Sequence, residues 1–164
     1  MEISKDNQYV SITDRSLILK LRSLGAGVEE ENSVNVSILE AAYFADRKVL
    51  PISKDDLLKA ALINDKMALE KYHTIKYLRD LGYIVRPSLD SSPFLRLHRK
   101  GFRPGEDKTQ YLIYVLKSEQ AIDFKQISEY LDSSGKLRKE LVIAFVDLSR
   151  EKPYLVKLGR MNIE

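Results

Sequence analysis

Residues 141–147 have the sequence LVIAFVD, and this stretch decides the fold of the C-terminal part of the chain. The run is apolar throughout until Asp147 ends it. Continuous apolar runs of this length are typical of strands that are buried on both faces. We therefore expect a sheet with helices packed against it.

Four more strand candidates lie on either side of this run. Upstream, residues 110–116 (QYLIYVL) are apolar, and residues 94–99 (FLRLHR) and 83–85 (YIV) are shorter candidates, the last stopped by Pro87. Downstream, residues 153–158 (PYLVKL) form the last candidate. Together they predict a mixed sheet of five strands.

Helices are expected between these strands. The segment 67–81 carries apolar side chains at every third position, and Gly82 is a suitable terminator. A second helix begins after a cap at Asp123 and is followed by a short helical turn near residues 134–139. Its apolar residues are Phe124, Ile127, Tyr130 and Leu131.

The N-terminal part contains two clear helix starts. Ser37 and Glu40 form a capping-box pattern, and Ser53 precedes Asp55 and Asp56, which favour the helix dipole. We predict an α/β (α+β) fold with a small N-terminal α/β domain at residues 1–66 and a C-terminal domain at 67–164.

Composition excludes several kinds of chemistry. The chain has 164 residues, no cysteine and two histidines, so thiolate sites are excluded and a histidine metal site is not expected. No GxGxxG, P-loop, GxSxG or HExxH motif is present. We predict no metal and no cofactor.

Membrane and targeting signals are also missing from the sequence. No apolar run approaches the roughly 20 residues that span a bilayer. The start, MEISKDNQYV, lacks the apolar region of a signal peptide. We expect a cytoplasmic protein.

A basic segment is the one feature that suggests a partner. Net charge is only +3, but Arg96, Arg99, Lys100 and Arg103 lie close together in the sequence and could contact RNA phosphates. The alternative is a solvated strand edge. From the residues alone, both remain open.

Five segments, in one consistent order, resemble tRNA-splicing endonucleases of archaea. Residues 77–86 resemble the family's YRDLRxxGYxV segment, and 137–147 resemble its VRKxLLIAxVD segment. Residues 36–43, 96–98 and 105–112 match further motifs. The resemblance implies a restriction-endonuclease-like C-terminal sheet flanked by helices.

The same resemblance implies a metal-free reaction on RNA. In this family a Tyr, a His and a Lys promote attack of a 2′-hydroxyl on the adjacent phosphate, which leaves a 2′,3′-cyclic phosphate and a 5′-hydroxyl. The Tyr is assigned as base, the His as acid and the Lys as the group that stabilises phosphate charge.

Only one of these three residue types is kept in this chain. The family's Tyr aligns with His98, its His with Lys108 and its Lys with Lys139. Lysine has a reference pKa of about 10.4, so Lys108 is a poor general acid near neutral pH. Lys139 could instead stabilise the preceding helix through a favourable interaction with its dipole. The resemblance therefore implies a degenerate site.

Two further departures concern the surroundings of the site. Where the family has a GxKxG loop, residues 88–92 are SLDSS, without either glycine. Where active subunits carry an arginine that clamps a bulged base, this chain has Asp132.

A degenerate site implies a structural role in assembly. Some members of the family are α2β2 heterotetramers of catalytic and structural subunits that cut precursor tRNA at bulge–helix–bulge motifs, and this chain resembles the structural subunit. The loop at residues 148–152 is not acidic, so this chain could receive the partner's acidic loop. The expected subunit interface is the last strand, with Tyr154, Leu155, Val156 and Leu158.

Three other functions are compatible with the sequence. One is an active homomeric endonuclease that uses His98, Lys108 and Lys139 in a rearranged site. The second is a stand-alone RNA-binding module based on the basic segment. The third is a metal-dependent nuclease that uses Asp90 and a downstream acid.

Overall fold

The computed structural model describes residues 1–88, 92–98, 100 and 109–161. The N-terminal part has a four-stranded antiparallel sheet with strand order β1-β2-β4-β3. Three helices accompany this sheet. The elements are β1 (Glu2–Ile3), β2 (Tyr9–Ile12), α1 (Arg15–Ser23), β3 (Val28–Glu29), β4 (Val34–Ser37), α2 (Ile38–Asp46) and α3 (Lys54–Asn64).

The C-terminal part has the predicted order of a helix, three strands, a helix and two strands. Its sheet has the order β5-β6-β7-β8-β9, and only the β7–β8 pair is parallel. The expected mixed sheet is therefore confirmed. The elements are α4 (Ala68–Asp80), β5 (Ile84–Pro87), β6 (Leu95–His98), β7 (Thr109–Lys117), α5 (Phe124–Lys136), β8 (Glu140–Val146) and β9 (Tyr154–Leu158).

The apolar stretch in β8 is buried on both faces, as predicted. Val142 and Ala144 belong to the larger core cluster, which includes residues of α4. Leu141 and Ile143 belong to a second cluster, which includes residues of α5. Successive side chains point to opposite faces of a strand, so each helix covers one face of the sheet.

The larger core joins the two parts of the chain. It contains Val10 and Val36 from the first sheet together with Val85 and Ile113 from the second. The predicted domain boundary between residues 66 and 67 remains a prediction, and apolar packing crosses it.

A buried ion pair also crosses that boundary. The Arg79 guanidinium lies 2.5 Å from the Glu40 carboxylate and donates to the carbonyl oxygens of Leu24 and Val85. Burial raises the pKa of Glu40, and the Arg79 charge opposes that effect. The predicted capping box is therefore only half formed. Ser37 accepts from the Glu40 amide at 3.3 Å, whereas the Glu40 carboxylate binds Arg79 instead.

Helix ends differ from the prediction in one place. Gly82 has a φ of 86° and closes α4 as expected, with its amide bonded to the carbonyl of Arg79. The separate turn expected near residues 134–139 is instead the last part of α5 and its cap. Pro87 ends β5 but lies inside it, which an edge strand tolerates. Among the described residues, no helix is long and apolar enough to cross a membrane.

Candidate functional site

The strand topology brings two of the three family positions, His98 and Lys139, to one edge of the second sheet, the edge at which β6 ends and β7 and β8 begin. The end of β6 lies beside the start of β7, because His98 pairs with Thr109. The start of β7 lies beside the start of β8, because Tyr111 pairs with Glu140 in parallel. Neighbouring strands are about 4.8 Å apart, so His98 and the start of β8 are separated by roughly 10 Å.

His98 occupies the first of these positions and is buried. It is 5% exposed, and the pairing of β6 with β7 shifts register between Leu97 and His98. Such bulges are frequent beside active sites, where they change the direction of a side chain. Lys108, the second position, lies outside the described residues, but its neighbour Thr109 is buried beside His98 in the sheet.

Lys139 occupies the third position, directly before β8. Its amide donates to the carbonyl of Ser134, and the amide of Arg138 donates to that of Gly135. These bonds close α5, with Arg138 at the left-handed position, φ 54°. Lys139 is half-buried and makes no ion pair with a described residue.

Other cations lie along the same edge. Lys100 is exposed and its Nζ lies 4.8 Å from the centre of the Tyr83 ring, just before β5. Lys157, near the end of β9, pairs with Glu140 at 2.7 Å, and this carboxylate raises the pKa of Lys157. The edge therefore combines paired and unpaired positive charge.

Asp132 should repel phosphate less strongly than the sequence alone suggests, because an arginine lies beside its carboxylate. Arg160, which follows β9, lies 2.7 Å from its carboxylate and also donates to Ser128. The negative charge is therefore compensated locally. The loop that lacks the family's glycines is described only at Ser88 and Ser92.

Of the four predicted RNA-contact residues, the structure describes two. Lys100 is exposed at the edge, whereas Arg96 is half-buried within β6 and faces Arg86 across the strand pair. Arg99 and Arg103 lie outside the described residues. Lys136 and Arg138 were not among the predicted RNA-contact residues, although the basic run KLRK at residues 136–139 is evident in the sequence.

The described residues offer no obvious metal site. No group of three or more His, Asp or Glu side chains among them could hold a metal ion. Asp90, the acid that a metal-dependent nuclease would use, lies outside the described residues.

The predicted interface strand β9 is at one end of the sheet. Its described partner is β8, so its other side carries backbone groups that no described strand pairs. Tyr154 is 73% exposed and Leu155 is 38% exposed, while Val156 and Leu158 are half-buried. An edge strand with exposed apolar side chains is a ready site for pairing with another chain.

Comparison with known proteins identifies the family. The sequence-family model described as "tRNA intron endonuclease, catalytic C-terminal domain" matches residues 68–154 of this chain. A tRNA-splicing endonuclease of Methanothermobacter thermautotrophicus is 29% identical over 90% of this chain and 91% of that protein. A tRNA-splicing endonuclease of Methanococcus vannielii is 30% identical over 86% of this chain and 84% of its own.

A third relative extends the same result. A tRNA-splicing endonuclease of Pyrococcus horikoshii is 30% identical over 88% of this chain and 86% of that protein. The region that the family model matches contains His98, Thr109 and Lys139. This chain belongs to the tRNA-splicing endonuclease family.

Proposed function

We propose that this chain is the non-catalytic, structural subunit of a heterotetrameric tRNA-splicing endonuclease. It assembles with a catalytic subunit as an α2β2 complex that cleaves precursor tRNA at bulge–helix–bulge sites. The observation that carries the proposal is the replacement of two catalytic residue types, with His98 in the tyrosine position and Lys108 in the histidine position.

The chemistry of the reaction explains why these replacements matter. Cleavage needs one group that takes a proton from the 2′-hydroxyl and another that protonates the leaving oxygen. His98 is 5% exposed, which is unfavourable for direct access to an RNA hydroxyl. Lysine holds its proton too tightly, with a reference pKa of about 10.4, for efficient acid catalysis near neutral pH. Lys139 alone supplies charge but no proton transfer.

A structural subunit still contributes to catalysis through position. The two scissile bonds of a bulge–helix–bulge substrate require two active sites at a fixed separation, and orientation of this kind accelerates a reaction without new chemistry. In this proposal β9 provides the contact with the catalytic subunit. Its exposed Tyr154 and Leu155 and its unpaired edge favour that role.

The loop between β8 and β9 supports a receiving role in assembly. Its backbone is held in place, because His73 Nε2 lies 2.8 Å from the Arg150 carbonyl and Asp147 accepts from the Ser149 amide. The loop carries Arg150, Glu151 and Lys152 and is not acidic. In this proposal a basic surface of the chain accepts the partner's acidic loop. Charge reversal in the partner's loop should then abolish tetramers, and intact tetramers would refute this part.

Co-expression with the second endonuclease-like chain of the same genome tests the proposal. We expect co-purification, a tetramer by size-exclusion chromatography with light scattering, and cleavage of a bulge–helix–bulge RNA to 2′,3′-cyclic phosphate ends. In single-turnover reactions with the enzyme complex at saturating concentration over the RNA, Lys139→Ala in this chain should leave the cleavage rate unchanged. The corresponding substitution in the partner should abolish cleavage. Loss of cleavage from Lys139→Ala in this chain would contradict the proposal.

A further inference from the structure

We propose that the sheet edge beside the degenerate site binds the RNA backbone through a cluster of cations at the end of α5. The cluster consists of Lys136, Arg138 and Lys139, with Lys100 on Tyr83 as a second contact point. The inference rests on the proposed function and extends it, because it assigns substrate contact to a chain that does not cleave.

Unpaired charge is the first observation. Lys136 and Arg138 are exposed, Lys139 is half-buried, and none of them forms an ion pair with a described residue. Nearby cations differ in this respect, since Lys157 pairs with Glu140 and Arg160 pairs with Asp132. Unpaired cations are available to replace the counterions of a phosphate backbone.

The position of the cluster is the second observation. Lys139 directly precedes β8, and Tyr83 directly precedes β5, so the two contact points are separated by the width of β6 and β7. With strands about 4.8 Å apart, that width is roughly 14 Å. A nucleic-acid strand that crosses this edge can contact cations at both ends.

Backbone geometry is the third observation. Arg138 has a φ of 54°, a conformation that strains a residue with a side chain and that glycine adopts freely. α4 ends in the same hydrogen-bond pattern with Gly82 at the corresponding position. Arg138 therefore keeps a charged side chain at a position where glycine would serve the fold better.

The competing explanation for these three cations is that they stabilise the C-terminus of α5. Lys136, Arg138 and Lys139 lie close to the last carbonyl groups of α5, where positive charge stabilises a helix. That explanation predicts an effect on stability alone. RNA binding and its salt dependence distinguish the two explanations.

The test uses the full chain and a bulge–helix–bulge RNA with 2′-deoxy residues at both splice sites, so that cleavage cannot interfere. Binding is measured by fluorescence anisotropy over a range of KCl concentrations. One variant carries Lys136→Gln, Arg138→Gly and Lys139→Gln, with glycine chosen because it fits the backbone. The matched control removes three exposed cations from three other places, by Lys20→Gln, Lys59→Gln and Lys125→Gln.

The two variants should differ clearly in RNA affinity and in its salt dependence. Each lost phosphate contact reduces the steepness of the plot of log K against log salt concentration by about 0.7 to 0.9. The slope of the cluster variant should therefore be shallower by about 2, and its affinity should be lower by roughly tenfold or more. The control should stay close to the wild type. Circular dichroism checks that both variants fold.

Three outcomes would overturn the inference. They are equal binding by the cluster variant and the control, no binding by the wild type at low salt, and loss of tetramer assembly with unchanged RNA binding. The last would identify the cluster as a protein-docking surface. None of them decides whether the chain is catalytic, which depends on cleavage.

Discussion

Arg79 shows at the scale of one residue how the two parts of the molecule are joined. Its guanidinium contacts the carboxylate of Glu40 and lies 5.0 Å from the centre of the Phe44 ring. It also donates to carbonyl oxygens after α1 and in β5. The side chain is 5% exposed, so its charge is largely shielded from water.

Loss of this side chain should be costly. Removing one partner of a buried ion pair leaves an uncompensated charge, so Arg79→Ala should lower the free energy of unfolding by about 3–5 kcal/mol. Urea denaturation measures it. Arg22→Ala is the control, since it removes an exposed pair with Glu29 worth about 1 kcal/mol or less. Equal losses in the two variants would contradict the structural role of Arg79.

Asp80 should make stability depend on pH. Burial alone would raise its pKa, but hydrogen bonds from Arg47, Lys76 and Tyr43 outweigh burial and lower it. The carboxylate therefore contributes stability above its unfolded pKa of about 3.9, and that contribution is lost as pH falls through the folded-state value.

Asp80→Asn should remove this contribution. The variant should be less stable than the wild type at neutral pH, and the difference should shrink as pH falls below about 3.9. Thermal unfolding at a series of pH values measures this difference in stability. Glu151→Gln is the control, because Glu151 forms no ion pair with a described residue. A difference that stays constant down to the lowest pH would show that Asp80 does not act through its charge.

At the scale of elements, the ends of α4 and α5 form a natural pair for comparison. Gly82 and Arg138 occupy equivalent left-handed positions, with φ values of 86° and 54°. A Cβ at Gly82 would meet nothing closer than the flexible end of Lys100, at 4.0 Å. Backbone conformation alone should therefore decide the effect of substitution at this site.

The two substitutions should have opposite signs. Gly82→Ala should destabilise the chain by about 1–2 kcal/mol, because alanine tolerates positive φ poorly. Arg138→Gly should be neutral or slightly stabilising, because it relieves the same strain. Chemical denaturation of both variants provides the comparison. Stabilisation by Gly82→Ala would contradict the assigned helix end.

The C-terminal elements were predictable because their signals are local. Continuous apolar runs indicate buried strands, and Asp123 and Gly82 mark helix ends within one turn of the sequence. The predicted and observed strands differ by only one or two residues at their ends. The sequence also contains local signals for α1, which was not predicted: Asp14 caps the helix, and Leu17 and Leu21 are apolar positions on it.

Long-range partners were not predictable in the same way. Glu40 satisfies the local pattern of a capping box, but Arg79, 39 residues later, binds its carboxylate. Asp132 is similarly compensated by Arg160 from beyond β9. The shared edge of His98 and Lys139 follows from strand order, which no local pattern contains. The family resemblance supplied those site positions.

At the scale of the whole molecule, the chain keeps the fold of its family more fully than the family's catalytic residues. The described residues form both sheets and the core that joins them, whereas two of the three catalytic residue types of the family are replaced. The proposed structural role requires that this scaffold hold a catalytic partner in place. The edge of β9 is where this expectation can be tested by assembly.

Charge on β9 should prevent assembly without unfolding the chain. The double variant Tyr154→Lys and Leu155→Lys should elute at a smaller size with its co-expressed partner, because two lysines oppose edge-to-edge pairing. Ile63→Lys is the control, since Ile63 is 72% exposed on α3 and far along the chain from β9. Unchanged tetramers in the β9 variant would rule this strand out as the interface.

Cleavage by the chain in isolation tests the central claim most directly. The purified chain, free of any companion, is incubated with a bulge–helix–bulge RNA, and products with 2′,3′-cyclic phosphate ends are quantified. We predict no product above the enzyme-free background. Cleavage at the intron borders that disappears with Lys139→Ala would contradict the account and would identify His98, Lys108 and Lys139 as a working active site.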